Sequence, residues 1–140
     1  MRRLTLVGVA LALAAAGTAQ AAATPAQVAR AWSNALNANH NVAAAKLFAH
    51  NARVVQPGVD VRLSSRALAV AFNDALPCAG RIVAIKVKGD RATATFVLGR
   101  RPKHRCDAPG AKAAAVFTVR NGKIVRWQQV PVPASTGVTA

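Results

Sequence analysis

Apolar positions change their period along this chain. Residues 4–16 are an unbroken uncharged run after Arg2 and Arg3. From Thr24 a helical spacing takes over, with Val28, Trp32, Ala35 and Leu36 on one face. Thr24 can cap that helix, Pro25 suits its first turn and Gln27 completes a capping box. Polar residues 37–41 break the pattern, and residues 42–49 predict a second, short helix with Leu47 and Phe48 inward. Val54-Val55 before Pro57-Gly58 predicts a strand over 52–56 and a turn, with residues 59–63 returning as its partner. Ser64 or Ser65 can cap a third helix, striped by Leu68, Phe72 and Leu76 and ended by Pro77. The period then falls to two. Val83, Ile85 and Val87 alternate with Ala84, Lys86 and Lys88, the pattern of a half-buried strand. Gly89-Asp90 and Asn121-Gly122 are hairpin turns, so residues 91–98, 111–120 and 124–130 predict three more strands. Helices segregated from consecutive antiparallel strands make an α+β domain.

The first segment reads as an address. A run of 13 residues is too short to span a bilayer, which takes about 20. Ala19-Gln20-Ala21 fits a small-x-small cleavage site. Residues 1–21 are therefore read as a signal peptide, 22–131 as one domain and 132–140 as a C-terminal tail; a retained membrane anchor is the alternative. The expected location is across the cytoplasmic membrane, secreted or in the cell envelope, with no span left after cleavage. In an oxidising compartment Cys78 and Cys106 are expected to form a disulfide. Closing about 28 residues, it would contribute roughly 3–4 kcal/mol.

Composition narrows the chemistry. The 140 residues include 34 Ala, six aromatics and four acids, with no Glu and no Tyr. So few acids make paired-carboxylate catalysis hard to build. Two Cys and three His cannot form a Cys-rich zinc site, and no metal or cofactor is expected. Loss of Arg2 and Arg3 with the leader would lower the formal charge from +15 to +13. Arg100, Arg101, Lys103 and Arg105 sit in the polar connection before Cys106 and are the candidate anion-binding group. Further cations cluster at Lys86, Lys88 and Arg91, and at Arg120, Lys123 and Arg126. For an exported protein the expected anionic partner is a cell-envelope polymer, with lipid head groups and extracellular nucleic acid as the other anions such a surface would attract. Sequence-specific nucleic-acid binding is not expected, because no aromatic platforms interleave the cations. A solvated basic surface without a dedicated partner is the alternative.

Three phrases carry a resemblance: Ala31-Trp32-Ser33-Asn34-Ala35-Leu36-Asn37, Leu47-Phe48-Ala49-His50-Asn51-Ala52-Arg53-Val54, and Phe117-Thr118-Val119-Arg120-Asn121-Gly122-Lys123-Ile124 followed by Trp127. In this order and spacing, residues 24–131 resemble the SnoaL-like branch of the nuclear-transport-factor-2-like superfamily. The resemblance implies a cone-shaped curved antiparallel sheet wrapped around N-terminal helices, with a pocket at the wide end. Trp32, Gln56, Phe72, Phe96, Phe117 and Trp127 are the candidate lining residues, suited to a small hydrophobic ligand. The other reading is that the aromatics, Phe48 among them, only fill the core.

Fold alone chooses no activity. Ketosteroid-isomerase-like members use a tyrosine, a carboxylate base and a protonated aspartic acid. The resemblance puts those positions at Trp32, Gln56 and Ala115, so that reaction is not expected. His40 and His50 are candidate bases or metal ligands, or surface substitutions in a turn and at a helix end; His104 sits in a distant loop beside cations and is not expected to complete a metal site. Asp60, Asp74 and Arg62 offer the groups of an epoxide-hydrolase-like site without its expected spacing. The sequence reading is thus a non-catalytic binding or accessory protein, the alternative being an enzyme of isomerase, dehydratase or hydrolase type. Monomer and homodimer both stand open; cations at Arg120 and Arg126 on the outer sheet face would disfavour a symmetric contact.

Overall fold

The computed structural model describes residue 12 and residues 14–134; most of the expected leader and of the tail lies outside them. Helix α1 (Pro25–Asn37) begins with the capping box read from the sequence. Thr24 Oγ1 accepts from Gln27 N at 3.2 Å, and Gln27 Oε1 accepts from Thr24 N at 2.9 Å. The helix buries Val28, Ala29, Trp32 and Leu36.

The second helix is shorter than expected. Helix α2 (Asn41–Lys46) stops before Leu47, and Phe48 starts strand β1 (Phe48–Gln56) instead of closing a helix at residue 49. The sheet captures this backbone: Phe48 lies opposite Ile124, and Ile124 N donates to Leu47 O at 2.8 Å. Phe48 still faces inward. After strand β2 (Val59–Leu63), Ser65 caps helix α3 (Arg66–Ala75), its Oγ accepting from Leu68 N. The expected stripe is displaced. Leu68 is 47% exposed, and α3 buries Ala69 and Asn73 with Phe72 half-buried. Steps of four drift around a 3.6-residue turn, and small Ala69 and the hydrogen-bonded Asn73 fix the inward face.

Strands β3 (Ala79–Lys88), β4 (Arg91–Gly99), β5 (Lys112–Arg120) and β6 (Lys123–Val130) complete a six-stranded sheet in the order β2-β1-β6-β5-β4-β3. Four of its pairings are antiparallel, but β1 and β6 run parallel, which local pattern could not foretell. Strand β3 starts at Ala79 rather than near Val83 and carries a bulge between Ile82 and Ala84. A bulge inserts one residue and shifts the alternation. Ile82 and Ile85 therefore pack on the core, whereas Val83 is 43% exposed. The Asn121-Gly122 hairpin is formed with both residues at positive φ, 50° and 70°, as a two-residue turn of this hand requires.

The helices pack on one face of this curved sheet. Trp32 is the hub: it meets Phe117 edge-on at 5.3 Å, Phe96 at 6.2 Å and Trp127 at 5.9 Å between ring centroids. The Cys78–Cys106 disulfide is formed and ties the segment after α3 to the connection between β4 and β5.

Candidate functional site

A cavity of about 320 Å³ opens between α1 and the ends of β1, β4, β5 and β6. Trp32 and Leu36 supply its α1 wall, Phe96 and Leu98 its β4 wall, and Trp127 lies on the β6 side. Ala113, Ala114 and Ala115 supply the β5 side. Ala113 stands opposite Phe96, and Ala115 opposite Ala94 and Gln129. Methyl side chains at these positions leave the space open. The polar groups are few. Gln56 and Gln129 meet across β1 and β6, Gln56 Nε2 donating to Gln129 Oε1 at 3.4 Å, and the exposed Asp107 lies on the rim.

The rim is pinned from α1. Ser33 Oγ donates to Gly80 O at 2.7 Å. Asn37 Nδ2 donates to the same carbonyl at 3.0 Å while its Oδ1 accepts from Gly80 N at 2.8 Å. A Cβ at Gly80 would stand 2.9 Å from Phe96 Cδ1, so the close approach of β3 to the Phe96 ring needs glycine there. From sequence, Asn37 reads only as a helix breaker.

Trp32, Gln56, Phe96 and Trp127 of the expected lining do face the cavity. Phe72 and Phe117 do not. Phe117 is fully buried among Trp32, Phe96 and Trp127, and Phe72 stacks edge-on against Phe48 and Trp127. The Trp32 indole is also committed: its Nε1 donates to Asn73 Oδ1 at 2.8 Å, and Asn73 Nδ2 donates to Ala69 O at 2.7 Å. Among the described residues the Trp127 indole N–H, buried amid the rings of Trp32, Phe72 and Phe117, meets no hydrogen-bond acceptor. Trp32, Gln56 and Ala115, far apart in sequence, come together at this one cavity.

The loop cations separate. Arg100, Lys103 and Arg105 are exposed, but Arg101 is only 2% exposed and turns inward, which removes it from any surface anion site. Its Nη1 donates to Asn73 O at 2.7 Å and to Leu76 O at 2.5 Å, and its Nη2 to Asn41 Oδ1. Burial pushes the Arg101 pKa below its usual value, with Asp74 acting in the opposite direction. Beside it, the His104 ring nitrogens lie 2.8 Å from Pro102 O and 2.7 Å from Asp74 O.

None of His40, His50, Asp60, Arg62 and Asp74 lines the cavity. Asp60 pairs with Arg53, and Asp74 accepts from Asn41 Nδ2 at 3.0 Å. Among the described residues one group of possible metal-ligating atoms is compact, that of Cys78, Cys106 and Asp107. Its two sulfurs are joined to each other, so they offer no thiolate.

Similar structures share this architecture at low identity. A protein of the nuclear-transport-factor-2-like fold and unknown function from Cytophaga hutchinsonii has a TM-score of 0.65 and 12% identity, covering 80% of this chain and 93% of its own. A Catenulispora acidiphila protein with a ketosteroid-isomerase-like fold, solved in complex with trimethylamine, has a TM-score of 0.60 and 20% identity, covering 78% and 87%. A Sphaerobacter thermophilus protein has a TM-score of 0.61 and 22% identity, covering 79% and 98%. No curated protein matches the chain. The family model of the SnoaL-like domain matches residues 29–127. With that match over most of its length, and with the curved six-stranded sheet around α1, the chain belongs to the SnoaL-like domain family.

Proposed function

We propose that this protein is exported and binds a small, largely apolar molecule in the cavity without turning it over by the isomerase route. The observation that carries this reading is the set of groups at Trp32, Gln56 and Ala115. The Trp32 N–H is held by Asn73, the Gln56 amide takes no proton near neutrality, and Ala115 offers no donor. Proton removal beside a carbonyl needs a base and an oxyanion donor in place. What the cavity does offer is apolar wall, one amide pair and, at its rim, the Asp107 carboxylate, the usual makeup of a ligand site, at the lower end of the 300–1,000 Å³ range of such sites. The long Gln56–Gln129 hydrogen bond is readily exchanged for one to a ligand hydroxyl or carbonyl. A protein of the same fold was solved in complex with trimethylamine, likewise a small molecule.

The test starts from protein purified from its secreting host, denatured, extracted and analysed by mass spectrometry for a stoichiometric small molecule. Ala115→Leu fills the cavity and is expected to weaken rebinding at least about tenfold. Rebinding unaffected by Ala115→Leu refutes the pocket. Turnover of the extracted compound that Gln56→Ala abolishes refutes the non-catalytic reading. The mature N-terminus checks export: it is expected at Ala22, and a retained leader refutes it.

A further inference from the structure

The register of the sheet aligns cations that lie far apart in sequence. Lys88 stands opposite Arg91, Arg91 opposite Thr118, and Thr118 opposite Arg126. Arg126 stands opposite Arg53, and Arg53 opposite Arg62. Residues directly opposite share a face. One unbroken row therefore crosses all six strands, with five cations, one threonine and no acid. At about 4.8 Å per strand it runs roughly 24 Å. It lies on the face away from the helices, because the adjoining row of Ala92, Phe117, Trp127 and Val54 belongs to the core. Lys88, Arg91 and Arg62 are exposed, and Arg53 and Arg126 are half-buried.

The acids on this face neutralise only Arg53: among the described residues Arg62, Lys88, Arg91 and Arg126 pair with no carboxylate. Asp60, two residues from Arg62 along β2 and so on the same face, accepts from both Nε and Nη2 of Arg53, and Gln128 Oε1 accepts from both Nε and Nη2 of Arg126. The Asp60 carboxyl is held below the usual range first by the hydrogen bond from Arg53, with desolvation opposing and the charges of Arg53, Arg126 and Arg62 adding to it. Asp90, in the turn between Lys88 and Arg91, is engaged by Arg120 at 3.5 Å. Like charges placed directly opposite each other destabilise a sheet, and an anion laid along the row removes that repulsion.

We infer that this row is the binding track for a linear polymer carrying a phosphate at each repeat, laid across the strands. Four of the five cations are arginines, whose planar forks match phosphate oxygens. The six aromatics of the chain all lie on the helix-facing side or in the core, so the track has no platform for stacking bases. A second copy of this face would set arginine against arginine. The exposed loop cations Arg100, Lys103 and Arg105 stand outside the row, which moves the expected anion site from that loop to the sheet.

Linear inorganic polyphosphate is the probe, titrated against the whole purified protein at several salt concentrations. Two variants carry the same change in net charge. One replaces Arg62, Lys88 and Arg91 with Gln; the other replaces Arg100, Lys103 and Arg105 with Gln. All six side chains are exposed, and circular dichroism checks that both variants fold. The row variant is expected to bind at least about tenfold more weakly, with the slope of log K against log salt shallower by roughly two to three units. The loop variant is expected to stay within about twofold. Equal losses in the two variants, a larger loss in the loop variant, or no polyphosphate binding overturns the inference. Tighter binding to anionic vesicles or to single-stranded DNA than to polyphosphate overturns it too.

Discussion

Arg101→Met tests the departure from the sequence reading that carries the largest energy. In sequence Arg101 is one of four cations in a polar loop, where a substitution should change stability by no more than about 0.5 kcal/mol. In the structure its guanidinium reaches the C-terminal end of α3, bonding Asn73 O, Leu76 O and the Asn41 side chain. Helix α3 has no basic residue in its own last turn, so Arg101 supplies the positive charge that this end favours. Each hydrogen bond from a charged donor contributes about 1.5–3 kcal/mol. Methionine loses all three, but it also relieves the burial of a cation, a cost visible in the lowered Arg101 pKa. The difference leaves a net loss of about 3 kcal/mol, or a fall in Tm of roughly 10–15 °C for a domain of this size. Urea unfolding followed by far-ultraviolet circular dichroism, with the disulfide intact, measures it. Arg100→Met is the matched control and is expected to be neutral within about 0.5 kcal/mol. Arg101→Lys keeps the charge on a single point and should recover only part of the loss. An Arg101→Met variant as stable as Arg100→Met refutes the reasoning.

Gly80→Ala pushes a methyl into the Phe96 ring and is expected to cost about 1–3 kcal/mol in a thermal melt; a neutral result would mean that β3 and the ring can part freely. The Trp32–Asn73 bond calls for a double-mutant cycle. Asn73→Leu alone orphans the Trp32 N–H and should cost about 2–3 kcal/mol, while Trp32→Phe with Asn73→Leu should cost less than the two single changes together by about 1 kcal/mol. Additivity would show that the hydrogen bond does not couple them. The hydrogen bond from Arg53 holds the Asp60 carboxyl below its ordinary value of 3.8. Its contribution is therefore complete above that value and is lost as pH falls through the folded pKa. The Tm difference between wild type and Asp60→Asn should shrink over that acid range, and a difference that stays constant there contradicts the pairing with Arg53.

Parts of the molecule were legible because their causes are local. The Thr24–Gln27 capping box spans three residues, and the Asn121-Gly122 turn needs only two with positive φ. The resemblance also aligned Trp32, Gln56 and Ala115 as positions of one site, and the cavity unites them. Leu68 and Val83 misled for physical reasons. An apolar side chain reads as inward whether or not the helix face turns that way, and a bulge shifts strand alternation without any marker in composition. Asn73 gave no signal at all: a polar residue in an Ala-rich helix is buried only because Trp32, 41 positions earlier, presents it with an N–H.

By itself the sequence determined the α+β class, the helix starts and hairpin turns, and the basic excess. Each follows from propensity, period or charge over a few residues. Only the tertiary structure decided that β1 lies parallel to β6, that Arg101 leaves the loop surface for the end of α3, and that five scattered cations share one row. Those outcomes rest on strand register and on contacts across tens of residues. A chain acquires them only when its elements pack, because hydrogen bonds between strands set which side chains stand opposite one another.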